Sequence, residues 1–186
     1  MSNDEKKKHD VIKEQEIGYD EFERFEIIGG VRYELKPAPT VNHQLLLGHL
    51  YHMFYSSCQL NGVVLISPLD VYFDEDNLFQ PDLVFISNEN LTIIKEKRIE
   101  GAPDLVAEIL SPSTSINDKI RKKKQYERFG VKEYWIIDPV HLLVDQLIRN
   151  DGSYELYATY GNDMVIHSPF FSCIAVHTDK LFKNLF

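Results

Sequence analysis

Cysteine is scarce in this chain. Cys58 and Cys173 are its only two, far apart and outside any CxxC or Cys/His spacing. That pattern argues against structural zinc and leads to the expectation of two free thiols in a reducing cytoplasm. Long apolar runs are missing too, and the N-terminal MSNDEKKKHD has no signal-peptide character, so no membrane association is expected and the chain reads as cytoplasmic. Positive charge is in deficit, with 20 Lys and Arg against 29 Asp and Glu and a net charge of −9 at pH 7. Coating nucleic acid draws on positive surface, so that class is disfavoured. An enzyme with a local basic patch beside an acidic metal site remains open. Internal repeats and low-complexity segments are also lacking.

The 186 residues are 44% hydrophobic and 12% aromatic, which is the composition of one globular domain with a real core. Residues 1–16 are charged and aperiodic and read as a mobile tail; 17–186 read as the single domain. Along that domain, Tyr19–Phe25 suits a short helix, and Glu26–Leu35 a hairpin turning at Gly29-Gly30. Lys36–Thr40 is a Pro-rich turn, and a long helix follows from Val41 to about Leu60. Strands are expected at Val63–Ile66, Leu69–Phe73 and Leu83–Ile86, with an acidic turn at Asp74–Asn77 and a polar connection of some helical tendency over 87–102. The C-terminal part reads as a hairpin, Leu142–Arg149 with Tyr154–Tyr160 around Asn150-Asp151-Gly152. A strand at Met164–Ile166, a last strand and a helix over Thr178–Leu185 then close the chain. The fold class is α/β of mixed (α+β) type: a central mixed sheet flanked by helices, with C-terminal β-hairpins.

The chain is organised around residues 103–139, which read as strand, turn, helix and strand. Glu108 interrupts the apolar strand Asp104–Leu110, and a carboxylate in a strand covered on both faces costs energy unless paired or metal-bound. Ser111–Asn117 is a turn cluster offering Ser115 or Asn117 as a helix N-cap. The helix Asp118–Phe129, closed by Gly130, places Lys122, Tyr126 and Phe129 on one face with Asp118 at its margin. Of the basic run from Lys119 to Lys124, Lys122 aligns best with the inward stripe. An ordinary Asp118–Lys122 pair on a solvated face is the plain alternative.

Asp82, at the start of the preceding strand, completes a set. Two carboxylates on adjacent strands hold a hard divalent cation, and Mg²⁺ characteristically takes one or two carboxylates with water and substrate phosphate. A nearby ammonium orients water and offsets charge developing on phosphate. The combination suits metal-assisted phosphodiester hydrolysis, although three such common residues are a weak signal by spacing alone.

The segments EIIGG, HQLLLGHL, QPDLVFIS, GAPDLVAEILSPSTS and DKIRKKKQYERFGVKEYWIIDP resemble the bacterial putative restriction endonuclease family (Uma-type), with a PD-(D/E)XK-like nuclease fold, over roughly residues 18–175. The resemblance implies a restriction-endonuclease-like sheet with a helix on each side and Mg²⁺-dependent DNA cleavage, Mn²⁺ being an expected substitute. Carried over by motif, Asp82 and Glu108 are metal ligands, aided by a strand carbonyl near Ile109. Leu110 stands where the superfamily usually keeps its lysine, and Lys122 on the helix matches the displaced position. Glu26 matches an additional acidic member. His43 matches a histidine of undefined role and, with Lys119 and Arg121, is a candidate for substrate binding. Asp104, in the second Pro-Asp, is the rival metal aspartate. It lies four residues along the strand from Glu108, about 13 Å at ~3.3 Å per residue, too far to share one ion readily, so Asp82 is favoured.

The expected function is a metal-dependent endonuclease acting on DNA, with Lys122 positioning the attacking water. Cutting both strands of a duplex, and the edge strands of the C-terminal hairpins, suggest a homodimer. The alternatives are a catalytically inert module of the same fold, serving DNA binding or oligomerisation, and a hydrolase of other phosphoesters.

Overall fold

The computed structural model describes residues 24–35, 38–111 and 116–186. The expected tail, and the helix expected over 19–25 as far as residue 23, lie outside them. Strand β1 (Phe25–Ile28) turns through Gly29 and Gly30, at φ 59° and 78°, into β2 (Val31–Glu34), so the hairpin forms where the paired glycines allow left-handed backbone. Helix α1 (Val41–Cys58) starts at Thr40, whose hydroxyl accepts from the His43 N–H at 3.2 Å. Leu46, Leu47, Leu50 and Phe54 form its buried stripe.

After α1 come β3 (Gly62–Ile66), β4 (Val71–Asp74), β5 (Asn77–Phe79) and β6 (Leu83–Ser87). The acidic segment 74–77 closes the β4–β5 hairpin, its Asp74 carboxylate accepting from Asp76 N and Asn77 Nδ2. β5 is a strand that the sequence did not suggest. The 87–102 connection contains a 3₁₀ turn, Leu91–Ile93, and the two-residue strand β7 (Ile99–Glu100). Then follow β8 (Leu105–Ile109), a π-helical turn (Asn117–Lys122), α2 (Lys123–Phe129) and β9 (Glu133–Asp138). Gly130, at φ 87°, ends α2 as expected. Asn117 is not the N-cap: it lies inside the π turn and its side-chain oxygen accepts from Arg121. The chain closes with β10 (Leu143–Asn150), β11 (Ser153–Tyr160), β12 (Val165–His167), β13 (Ala175–His177) and the short α3 (Thr178–Leu181).

Among the described residues the central sheet has six strands in the order β11-β10-β9-β8-β6-β3, antiparallel except for the parallel β8–β9 pair. That parallel pair is joined across the helix of the 103–139 block, the crossover that parallel strands require. Alternate residues of β8 build two cores. Leu105, Ala107 and Ile109 pack against α1 and the β12–β13 hairpin; Val106 and Leu110 pack with Tyr126 of α2 and with a second, five-stranded sheet, β2-β1-β5-β4-β7. Glu108 falls on the second face by the same alternation.

The free-thiol expectation is overturned. Cys58, at the end of α1, forms a disulfide with Cys173, whose Cα is 5.2 Å away across 115 residues of sequence. The inference of a reducing cytoplasm loses the support those thiols gave it. No helix among the described residues is long and apolar enough to cross a membrane.

Candidate active site

Five of the sequence-derived residues come together at one end of the central sheet, beside a cleft of about 710 Å³. Asp82 immediately precedes β6, whose pairing with β8 reaches no further than Leu83 opposite Ala107. Beyond that last pair, the Asp82 carboxylate continues the connection. Its Oδ2 accepts from the Ile109 N–H at 2.8 Å, while its own N–H approaches Glu108 Oε2 at 3.3 Å. His43, in the first turn of α1, places Nε2 at 3.2 Å from the same Oδ2, and its buried Nδ1 has no hydrogen-bond partner among the described residues.

Glu108 is 2% exposed. Its Oε1 accepts from Lys122 Nζ at 2.9 Å and from the Tyr126 hydroxyl at 2.8 Å. Lys122 also lies 2.7 Å from Glu26 Oε1 and 3.2 Å from Asp118 Oδ1. The last contact lacks hydrogen-bond geometry, so Asp118 Oδ1 is buried with an ion-pair neighbour and no hydrogen bond. Glu26, on β1, is fixed independently by the Gln80 N–H at 2.7 Å. The Tyr134 hydroxyl donates to the Asp118 carbonyl at 3.0 Å and steadies the π turn.

Three carboxylates therefore surround one ammonium in a dry site, with Asp82 alongside. Burial pushes the Glu108 carboxyl well above the ordinary glutamate value; Lys122 opposes this, and the charges of Asp118, Asp82 and Glu26 reinforce it. Glu26 is raised as well, by burial first, against the pull of Lys122. Burial works against the Lys122 charge, yet the facing carboxylates outweigh it and hold the ammonium well above its usual range. Tyr126 is pushed up by burial and by Glu108, so it stays a donor. An ammonium held this firmly is a fixed positive charge, not a base.

The other candidates are placed differently. Lys119 is exposed and lines the cleft. Arg121 turns elsewhere, bonding Asn117 and lying 5.0 Å over the Tyr33 ring, and is not part of the cleft wall. Asp104 is buried at the opposite end of β8, with Lys132 Nζ at 2.7 Å and Ser87 N–H at 2.8 Å. Asp118, Tyr126 and Gln80 were not singled out as site members. The sequence placed Asp118 only at a helix margin, and nothing in it marked a backbone N–H at Gln80.

The sequence matches the family described as "Putative restriction endonuclease", Uma2, over residues 17–177. The chain belongs to this family. A solved structure described as a putative nuclease belonging to DUF820, from Anabaena variabilis, is similar at a TM-score of 0.69 and 22% identity, covering 85% of this chain and 89% of that one. This likeness shows a shared fold, a mixed α/β arrangement built on a central mixed sheet. No curated protein matches the chain.

For the metal that such a fold implies, the oxygen donors are suitable. Asp82 and Glu108 adjoin at the cleft, and among the described residues Glu108 Oε2 accepts only the long Asp82 N–H contact. The excess of buried carboxylate also favours a cation. Among the described residues no group of three or more His, Cys, Asp or Glu side chains stands ready as a complete metal cage. A two-carboxylate set completed by water and phosphate fits the habit of Mg²⁺.

Proposed function

We propose that this protein is a divalent-cation-dependent endonuclease that hydrolyses DNA phosphodiester bonds at the cleft beside β6 and β8. The observation that carries this reading is Glu108, with one oxygen toward Asp82 and the other toward Lys122. Asp82 and Glu108 would hold Mg²⁺, or Mn²⁺ in its place. The bound ion would polarise the phosphate and activate water.

The chain's own residues divide the remaining work. His43 and the Ile109 N–H orient the Asp82 carboxylate, as second partners of metal ligands commonly do. Tyr126 and Lys122 fix Glu108. Lys122 has three N–H groups; it donates a hydrogen bond to Glu108 and stands in ion-pair contact with Glu26 at 2.7 Å. Asp118 Oδ1 lies 3.2 Å away outside hydrogen-bond geometry, which leaves donor capacity on the ammonium to align a water. Glu26 anchors the ammonium from the far side, and Lys119 meets the substrate backbone at the rim. For the expected homodimer, β11 is the edge of the central sheet and exposes Leu156 and Tyr157. Sedimentation at micromolar concentration tests it, a monomer ruling it out.

The deciding test is cleavage of plasmid DNA in Mg²⁺ by the wild type, Asp82→Ala and Glu108→Ala, with RNA and a small phosphodiester in parallel. Loss in both variants with circular dichroism unchanged supports the assignment; cleavage retained by either refutes it. A catalytically inert DNA-binding module is the second reading, favoured by how fully Lys122 is enclosed. It predicts DNA binding with no Mg²⁺ dependence.

A further inference from the structure

The two oxygens of Glu108 face two different cation positions. Oε2 looks toward Asp82, and Oε1 looks into a cage completed by Glu26 and Asp118, where the Lys122 ammonium sits at 2.7 to 3.2 Å from all three carboxylates. We infer that this cage is a second divalent-cation site occupied by a tethered ammonium, so that the native protein binds one divalent ion and loss of Lys122 opens a site for another. The inference rests on the reading of Asp82 and Glu108 as the first cation pair.

Two walls of the cage have side-chain anchors other than Lys122, and the third is held through its backbone. Glu26 comes from β1 and is held by the Gln80 N–H; Glu108 comes from β8 and is held by the Tyr126 hydroxyl. Asp118 comes from the π turn, which Tyr134 ties to β9. The three carboxylates thus come from separate elements, and those of Glu26 and Glu108 each have a bond besides the ammonium. Asp118 is 1% exposed, and among the described residues its Oδ1 has no hydrogen bond, only the ammonium at 3.2 Å. With the ammonium gone, that oxygen would be an unspent electron-pair donor at the edge of the cage. Charge points the same way, since three carboxylates against one ammonium leave an excess that a doubly charged ion would balance more fully. The size is suitable as well. Ammonium contacts are longer than the ~2.0–2.6 Å that hard divalent ions make to oxygen, and a contraction of roughly half an ångström would convert one to the other.

The chemistry of the ligand is therefore a hard divalent cation bound by oxygen, and Mn²⁺ alone is the probe. Metal-free wild type, Lys122→Ala and the double variant Lys122→Ala/Asp118→Asn are each titrated, with free ion read by electron paramagnetic resonance. The expected stoichiometries are one, two and one. Two ions in the wild type, or one in both the wild type and Lys122→Ala, would overturn the inference. None in the wild type with one in Lys122→Ala would keep the cage and refute the Asp82–Glu108 pair; none in either would refute both. Lys122→Ala leaves three buried carboxylates uncompensated and could unfold in chelator. Recovery of its circular dichroism on adding Mn²⁺, with two ions bound, supports the cage, and failure to recover at any Mn²⁺ concentration counts against it.

Discussion

Substituting Glu108→Gln separates the electrostatics of the site from its shape. The amide keeps the size of the side chain and an oxygen for the Tyr126 hydroxyl, but removes the titrating group. Glu108 is raised well above the ordinary value of 4.5, by burial first and by neighbouring carboxylates. Between 4.5 and its folded pKa the folded protein holds a proton that the unfolded chain has released. Stability contributed in this way is complete below 4.5 and is lost as pH rises through the folded value, at up to about 1.4 kcal/mol per pH unit. The Gln variant lacks that loss. Groups unaffected by the change cancel in the difference between the two proteins. Glu26, also raised, retains a slope in the variant, so the figure is a ceiling. For a domain of this size each unit of pH inside the window should widen the gap in melting temperature by roughly 3–6 °C in favour of the variant. Thermal melts in chelator at pH 5, 6, 7 and 8 read it directly. Parallel curves would refute the reasoning, and a gap that widens toward acid would show that Lys122 depresses the carboxyl instead.

Three further outcomes follow from single contacts. Tyr126→Phe removes the 2.8 Å hydroxyl bond to Glu108 and should lower cleavage and Mn²⁺ affinity by about 10–100-fold, with about 1 kcal/mol lost in urea; unchanged cleavage would leave Tyr126 a packing residue only. Gly62→Ala would set a Cβ 2.3 Å from the Ile86 carbonyl and 2.7 Å from the Phe85 ring. It should cost about 2–3 kcal/mol or more in a urea titration, and equal midpoints would contradict the packing of β3 on β6. Cys173→Ser opens a long covalent loop and should cost roughly 4–5 kcal/mol in oxidising buffer; a wild type that melts identically with and without reductant would contradict the pairing.

How much of this was legible depends on how local each signal is. Alternation along β8 placed Glu108 on the face away from Ala107, because side chains on a strand alternate between its two faces, and here both faces are buried. The hairpins at Gly29-Gly30 and Asn150-Asp151-Gly152 were legible because their turns demand particular backbone conformations. β5 was not, since three residues carry no period. The disulfide was hidden for the opposite reason: its partners are 115 residues apart, and only the packing of the 171–174 turn on the end of α1 brings them together.

The site shows the same divide within a single helix. On a uniform α-helix Asp118 and Tyr126, eight residues apart, diverge by about 80°, which is why the sequence left Asp118 at the margin of the face carrying Lys122. The chain instead begins this helix with a π turn, which winds less per residue and swings Asp118 back into line with Lys122 and Tyr126. All three are buried, at 1%, 3% and 0% exposure. A π turn has poorer intrinsic stability than an α turn, so something must hold it, and here the Tyr134 hydroxyl and the Lys122 ion pairs do so. The local irregularity and the carboxylate excess are then two aspects of one requirement. A regular helix would pair Asp118 with Lys122 as well; the departure from regular pitch is what turns that pair onto the buried face with Tyr126, where an excess of carboxylate calls for a cation among them.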